Sequence, residues 1–373
     1  MTVNNKIAHP RYELREISTE KEVNNTRRVN YVEWGGGLSL NDYLAREEHL
    51  GNTKINSGTN LRTWGLYVQD SEGGEWERRS ALETMLRPGA YKVKGQPIKV
   101  EDITTFSIGS VFTPEEHRGK GYAIQLFNQL TSTMDNWPCN KENGGKVFSF
   151  LWSDIGTYYN KWDYTLTEAF EYNIKVKKEG NVWPSEVEKI STSQLKAIAD
   201  LNINQWLKKM DNDTEADGKT RVMIIPSVEV YEWSFARAEF LAPHFGAEKP
   251  EFFCAKHGDL SIVWTIHFVG KNINILRIIT EDNCPSEIIK HKSFIKCINA
   301  VNSVAVQFNL NTITIWQQDL FPLESESFQK EAIKCLTSSG YTVDSGVRDG
   351  SLPNYRSVRE PIEWVGEGKL TWM

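Results

Sequence analysis

The sequence predicts a mixed α/β protein built from two units in tandem. Three observations carry that expectation. Short apolar, β-branched runs alternate with segments of helical periodicity along the chain. The 373 residues are more than one hydrophobic core ordinarily organises, at roughly 150 residues per domain. The order of elements in the second half nearly repeats that of the first: helices, a strand pair, then helix, strand, helix, strand.

The first unit opens on a strand over 11–17 (RYELREI). Ser18 or Thr19 then caps a helix that runs through Val23 and Val29 and is broken by Gly35, Gly36 and Gly37. A second helix is expected over 41–49, capped by Asn41. Residues 61–69 alternate as a strand, 70–74 form a turn, and 80–86 form a third strand ended by Arg87, Pro88 and Gly89. The apolar run 103–112 reads as a buried central strand, followed by a glycine-containing loop and a helix over 121–134. A strand over 147–152, a short helix over 158–162 and a strand over 170–176 complete the unit.

The polar stretch 177–184, with Gly180 and Pro184, marks the boundary, so the units are placed at 1–180 and 185–373. In the second, helix 193–209 carries Leu195, Ile198, Ala199 and Trp206 on one face. The acidic stretch 211–219 has no large apolar residue and is read as a mobile loop. A helix over 229–241, strands over 261–269 and 273–279, a long helix after Pro285 capped by Ser286, a strand over 312–316, a helix over 324–338 stopped by Gly340 and a strand over 341–347 follow.

Composition excludes several classes. Hydrophobic residues are 39% and charged residues 25%, a globular balance and not that of a disordered chain, a collagen or a coiled coil. A net charge of -6, from 43 Lys+Arg against 49 Asp+Glu, disfavours a nucleic-acid partner held through phosphates. No apolar run approaches the ~20 residues needed to cross a bilayer, so no membrane association is expected. The first residues lack an apolar signal core. Cys139, Cys254, Cys284, Cys297 and Cys335 form no CxxC pair and read as reduced thiols of a cytoplasmic protein, with no metal site expected. The oligomeric state is left open.

The chemistry concentrates in 110–123 (SVFTPEEHRGKGYA), between the buried strand and a helix. Gly119 and Gly121 let the backbone turn and bring successive N–H groups together at a helix N-terminus, where donors are unpaired and the dipole is positive. That arrangement suits a phosphate or pyrophosphate, and Arg118 and Lys120 add charge. No GK[ST] follows at Walker spacing, and the dinucleotide fingerprint would need glycine where Ile124 stands. What remains, Arg-x-x-Gly-x-Ala over 118–123, resembles the acyl-CoA loop of the GNAT superfamily of N-acetyltransferases, Gln/Arg-x-x-Gly-x-Gly/Ala. The segment 158–164 (YYNKWDY) is similar to that superfamily's FYxKxGF element, with Asp163 in place of its glycine.

The resemblance covers 11–176 and implies the GNAT acyl-CoA N-acyltransferase fold, with a second GNAT-like α/β domain and acetyl-CoA as co-substrate. It implies that backbone groups of Val111 and Phe112 meet the pantetheine and the thioester carbonyl. It assigns the pyrophosphate to Arg118, Gly119, Lys120, Gly121, Tyr122 and Ala123, and to Tyr159 the protonation of the departing thiolate. The chemistry fits, since a thiolate with a pKa of ~8.5 can take a proton or hydrogen bond from a phenol at ~10. Tyr158 beside it reads as a packing residue.

A primary amine with a pKa of ~10.4 must lose a proton before it attacks. Many members of the superfamily place a glutamate on the central strand, but 103–108 (ITTFSI) has no carboxylate. The candidates for base are Glu83 on the preceding strand, Asp154 near the top of the next, and water; His117 lies on the phosphate side and reads as a surface residue.

Three further segments, 82–88 (LETMLRP), 151–159 (LWSDIGTYY) and 232–240 (EWSFARAEF), together with the overall length, are similar to the fungal lysine N6-acetyltransferase family. That resemblance implies transfer of acetyl to the side-chain amine of free L-lysine, an entry step of lysine catabolism. A cationic acceptor suits carboxylates in the cleft (Glu83, Asp154, Glu239), while Arg237, near Trp233, would pair with the substrate carboxylate. The alternatives are another acceptor amine (a protein lysine, a polyamine, a peptide N-terminus) or a non-catalytic acetyl-CoA-binding protein. The second unit's corresponding turn, 281–286 (EDNCPS), has no glycine and two acidic groups, so this unit is expected to bind no CoA and to wall the acceptor pocket. The segment Lys369, Leu370, Thr371, Trp372, Met373 is expected to dock on the core, with the terminal carboxylate a further candidate base.

Overall fold

The computed structural model describes residues 10–100, 103–137, 146–179, 182–281, 287–320, 326–357 and 361–372. The first half runs β1 (Arg11–Ile17), α1 (Glu20–Trp34), α2 (Leu40–Gly51), β2 (Leu61–Gln69), β3 (Glu77–Arg87), β4 (Gly89–Lys92), β5 (Lys99–Val100), β6 (Thr104–Phe112), α3 (Tyr122–Asp135), β7 (Val147–Ser153), a 3-10 helix (Gly156–Trp162), β8 (Thr165–Leu166) and β9 (Phe170–Lys175). The second runs β10 (Glu188–Lys189), α4 (Thr192–Asp217), β11 (Arg221–Ile224), α5 (Val228–His244), β12 (Cys254–His257), β13 (Leu260–His267), β14 (Asn272–Thr280), α6 (Glu287–Gln307), β15 (Thr312–Trp316), α7 (Glu326–Ser338), β16 (Val343–Val347), β17 (Leu352–Ser357), β18 (Glu363–Val365) and a closing 3-10 turn (Lys369–Thr371).

Local chemistry sets the boundaries. The Thr19 side chain accepts the Glu22 N–H and caps α1. Ser39, not the expected Asn41, does the same for α2 by accepting the Asp42 N–H. The acidic stretch expected as a mobile loop is instead the last part of α4, which ends at Gly218 in the left-handed region. Met210 and Thr214 on that turn are buried, and the acidic groups find partners. Asp211 and Glu215 pair with Lys92 at 2.6 and 2.7 Å, and Asp217 with Arg221 at 2.7 Å. A helix with one apolar face and paired charges on the other needs no large side chains there. The expected Ser286 cap of α6 lies outside the described residues, as do Cys139, Cys284 and Met373.

Two seven-stranded sheets carry the halves, in the orders β1-β2-β3-β6-β7-β17-β8 and β10-β12-β13-β14-β15-β9-β16. In each, one pair is parallel, β6 with β7 and β14 with β15. The halves exchange strands: β9, expected to close the first unit, lies between β15 and β16, while β17 pairs with β7. A four-stranded sheet, β18-β11-β4-β5, joins them. β4, β5, β11 and β12 have no counterpart in the sequence reading, being four residues or fewer and too short to show alternation.

One core packs Leu66, Leu82, Phe106 and Leu151 of the first sheet against Leu126, Phe127 and Leu130 of α3. The larger one gathers Ile262, Trp264, Ile275, Phe294 and Val301 of the second half, and it takes in Tyr43, Leu50 and Met85 of the first. That shared packing brings α5 of the second half against α2 and opens a cavity between them.

Candidate active site

The site begins at the seam of β6 and β7. Their pairing stops at Ile108 opposite Leu151, so Gly109–Phe112 continue without a partner on β7. On its other edge β6 bulges: Ala81 pairs with Phe112 and Glu83 with Gly109, which sets Ser110 and Val111 against Leu82 alone. Ser110 sits at φ +53°, a left-handed conformation unusual for a non-glycine residue.

Beyond Phe112 the chain makes a short 3-10 turn (Glu115–His117) and reaches Gly119 and Gly121 at φ +74° and +78°. Gly121 is the N-cap of α3. A Cβ at either glycine would meet nothing within 4 Å, so the requirement for glycine is conformational. None of the N–H groups of residues 119–123 donates to a backbone carbonyl among the described residues. Arg118 donates through Nε to the Thr113 carbonyl at 3.0 Å and lies over the Phe112 ring. Lys120 donates to the Glu116 carbonyl at 3.1 Å. These open donors, converging at the positive end of a helix, fit a pyrophosphate. Tyr122 and Ala123 open the helix, with Tyr122 edge-on to His117 at 6.2 Å.

Tyr159 stands on the 3-10 helix after β7, 7% exposed, with ring centroids 5.0 Å from Phe127 and 5.3 Å from Tyr158. Burial raises its pKa well above the usual phenol value, with the charges of Tyr158 and Asp154 adding to the effect. The phenol therefore keeps its proton at neutral pH. Tyr158 is less buried and carries the Lys161 ammonium over its ring at 3.7 Å.

A cavity of about 190 Å³ is lined by α1, α2, β3, β6, α5 and Trp372. It brings together Glu83, Trp233 and Arg237, three of the residues singled out from sequence. Glu83 accepts the Ser110 hydroxyl at 2.7 Å through Oε2. Burial raises its pKa, the nearby Glu47 carboxylate raises it further, and the Ser110 bond and Arg27 oppose them. Arg237 lies over the rings of Trp233 at 5.8 Å and Trp372 at 5.6 Å. It has no ion pair among the described residues, and burial lowers its pKa to about 10, so it is charged at neutral pH. The indole N–H of Trp233 is buried without an acceptor among the described residues.

Two expected cleft carboxylates lie elsewhere. Asp154 is exposed and accepts the Ser351 N–H at 2.6 Å, fixing the turn into β17. Glu239 does not line the cavity. Ser110, Tyr43, Arg46 and Glu47 line it or act there and were not anticipated. Their signal was available in part: Tyr43, Arg46, Glu47 and Leu50 share one face of α2, where a charged pair interrupts an otherwise buried stripe. The closing turn docks as expected: Leu370 and Thr371 are buried, and Lys369 lies over the Trp372 ring at 3.6 Å. Among the described residues no helix is long and apolar enough to cross a membrane. No three His, Cys, Asp or Glu side chains among them gather as a metal site.

A parted pair of parallel strands, a bulge on the central strand and an open nest of N–H groups ahead of α3 define the class as a GNAT-type acetyltransferase. A family model described as the LYC1 GNAT-like C-terminal domain matches residues 171–373, and the chain belongs to that family. It is 28% identical to a lysine acetyltransferase of Yarrowia lipolytica, an alignment covering 96% of this chain and 99% of that one. It is 23% identical to an uncharacterized protein of Saccharomyces cerevisiae, over 93% of this chain and 94% of the other. Among solved structures, a probable N-acyltransferase of Enterococcus faecalis superposes with a TM-score of 0.50 at 12% identity, covering 94% of this chain and 73% of that one.

Proposed function

We propose that the protein transfers acetyl from acetyl-CoA directly to the side-chain amine of free L-lysine, in the cytoplasm, as a step of lysine breakdown. The observation that carries this reading is the presence, in one small cavity, of the Arg237 guanidinium, without an ion pair among the described residues, and the Glu83 carboxylate held by Ser110. About 190 Å³ is below the roughly 300–1,000 Å³ of sites for drug-sized ligands and suits a single amino acid. The relative named lysine acetyltransferase supports a lysine amine as the acceptor.

When bound, acetyl-CoA supplies the acetyl group as a thioester. The N–H groups of Gly119, Lys120, Gly121, Tyr122 and Ala123, with Arg118, hold the pyrophosphate, and Val111 and Phe112 offer backbone groups along the parted strand. Arg237 pairs with the lysine carboxylate beside Trp233, which points the side chain toward β3 and β6. Glu83 accepts a proton from the acceptor ammonium; its raised pKa brings it nearer the amine's and eases that transfer. Tyr159, kept protonated by burial, donates to the departing sulfur. We assign donor binding to 1–180 and, to 185–373, the one wall of the acceptor pocket that Trp233, Arg237 and Trp372 supply, with no CoA of its own; one CoA per chain by calorimetry is the expected stoichiometry, and two would refute it.

The deciding experiment is incubation with acetyl-CoA and a panel of amines (L-lysine, a polyamine, a lysine-containing peptide), following CoA release. Release with lysine and not with the peptide is expected. Release only with another amine would replace the acceptor, and binding of CoA without turnover on any amine would favour a sensor.

A further inference from the structure

The cavity holds a second carboxylate whose hydrogen bonding is half used. Arg46 donates through Nε and Nη2 to the same oxygen of Glu47, Oε1, at 2.8 and 2.6 Å. Arg46 is itself fixed: it is buried, donates to the Trp34 carbonyl at 3.1 Å and lies over the Tyr43 ring at 4.8 Å. Glu47 Oε2 has no partner among the described residues, and the side chain lines the cavity. Glu83 shows the same division, with Oε2 taken by Ser110 and Oε1 open. Glu47 lies near enough to act electrostatically on both Glu83 and Arg237.

These groups differ in what they are placed to meet. Glu83 is on β3, bonded to the bulge that leads into Val111 and Phe112, on the donor side. Glu47 is on α2 and lines the same cavity, held by a pair that leaves one oxygen open. Arg237 and the unsatisfied Trp233 N–H complete an anion site. A guanidinium and an indole N–H beside a half-free carboxylate complement an amino acid's carboxylate and its α-ammonium.

Resting on the lysine reading above, we propose that Glu47 Oε2 receives the α-ammonium of the acceptor and makes the enzyme selective for amino acids whose α-nitrogen is free. An acceptor whose α-nitrogen is an amide brings no cation to that oxygen and leaves Oε2 without a partner inside the filled cavity, the situation in which polar sites discriminate most strongly. Arg46 is then a positioning residue that presents Oε2 by occupying Oε1.

The test compares acceptors on the unaltered protein first. L-Lysine is expected to exceed both Nα-acetyl-lysine and ε-aminocaproate (lysine without its α-amine) in kcat/KM by about tenfold to a hundredfold, the range for a hydrogen bond to a charged group. Equal turnover of the three overturns the inference without any variant. In Glu47→Gln, which keeps an acceptor for Arg46, the preference for lysine over ε-aminocaproate is expected to fall by tenfold or more, mainly through the KM for lysine, and Glu47→Asp should restore part of it. A loss shared by both acceptors overturns the inference and leaves the lysine reading standing. Absence of lysine turnover in the unaltered protein overturns both.

Discussion

Ser110 donates its hydroxyl to Oε2 of Glu83 at 2.7 Å, from a backbone held at φ +53°. The bond favours the ionised carboxylate, opposing the burial and the Glu47 charge that push Glu83 upward. A base works only when deprotonated, so activity rises as pH climbs through the Glu83 pKa. Ser110→Ala removes the opposing bond, and the acidic limb of kcat/KM should move to higher pH. Glu47→Gln removes a like charge and should move the same limb to lower pH. Ser110→Gly should match the alanine variant in its limb while recovering roughly 1–2 kcal/mol of backbone strain, readable in denaturant unfolding. Identical pH profiles for all three would dismiss Glu83 as the base.

Tyr159→Phe keeps the ring packed against Phe127 and removes only the proton donor. Turnover should fall by about 10²–10⁴ while CoA affinity by calorimetry stays within about twofold. Retained turnover would leave Tyr159 a packing residue.

Alanine at Gly119 or Gly121 meets no steric contact, so its whole effect comes from φ, at about 1–2 kcal/mol. A loop that relaxes away from +74° and +78° splays its N–H groups. Kd for CoA should rise about 5–30-fold. Gly95, at φ +71° in the β4–β5 turn and equally open, is the control: Gly95→Ala carries the same strain and should leave CoA affinity unchanged.

Arg277 and Asp319 form an ion pair with side chains 1% and 0% exposed, and Asp319 also accepts the Lys369 N–H at 2.8 Å. Asp319→Ala strands a buried guanidinium and should cost about 3–5 kcal/mol in urea unfolding. Because Asp319 anchors the turn that carries Trp372 to the cavity, the same variant should raise KM for the acceptor more than for acetyl-CoA. Equal changes in both would mean the turn is stability alone.

The long elements were legible because they repeat one pattern over many residues: β2 is found where the alternation of 61–69 puts it, and β1 over the 11–17 expected. The loop 118–123 was legible because glycine spacing encodes backbone conformation directly, and both Gly119 and Gly121 have positive φ. Glu83, Trp233 and Arg237 were named for their chemistry, and the fold brings them to one cavity. Asp154 was named on the same grounds but serves a turn, since a carboxylate's neighbours come from segments nearly 200 residues away, here Ser351. Glu47 and Ser110 owe their parts to a helix docking and a strand bulge, which are tertiary events without a local sign. The exchange of β9 and β17 is hidden for the same reason, because edge pairing depends on which backbone arrives alongside.

That exchange ties assembly to the order of synthesis. The strand that covers the far edge of β7 is made only at Leu352–Ser357, some 200 residues after β7 itself. Until the ribosome reaches it, the nascent chain carries a first sheet with an open edge at β7, a template for pairing with other chains. A polypeptide stopped before residue 352 would therefore hold the glycine loop of 119–121 and still be exposed to aggregation, and the first sheet becomes whole only once Leu352–Ser357 has been made.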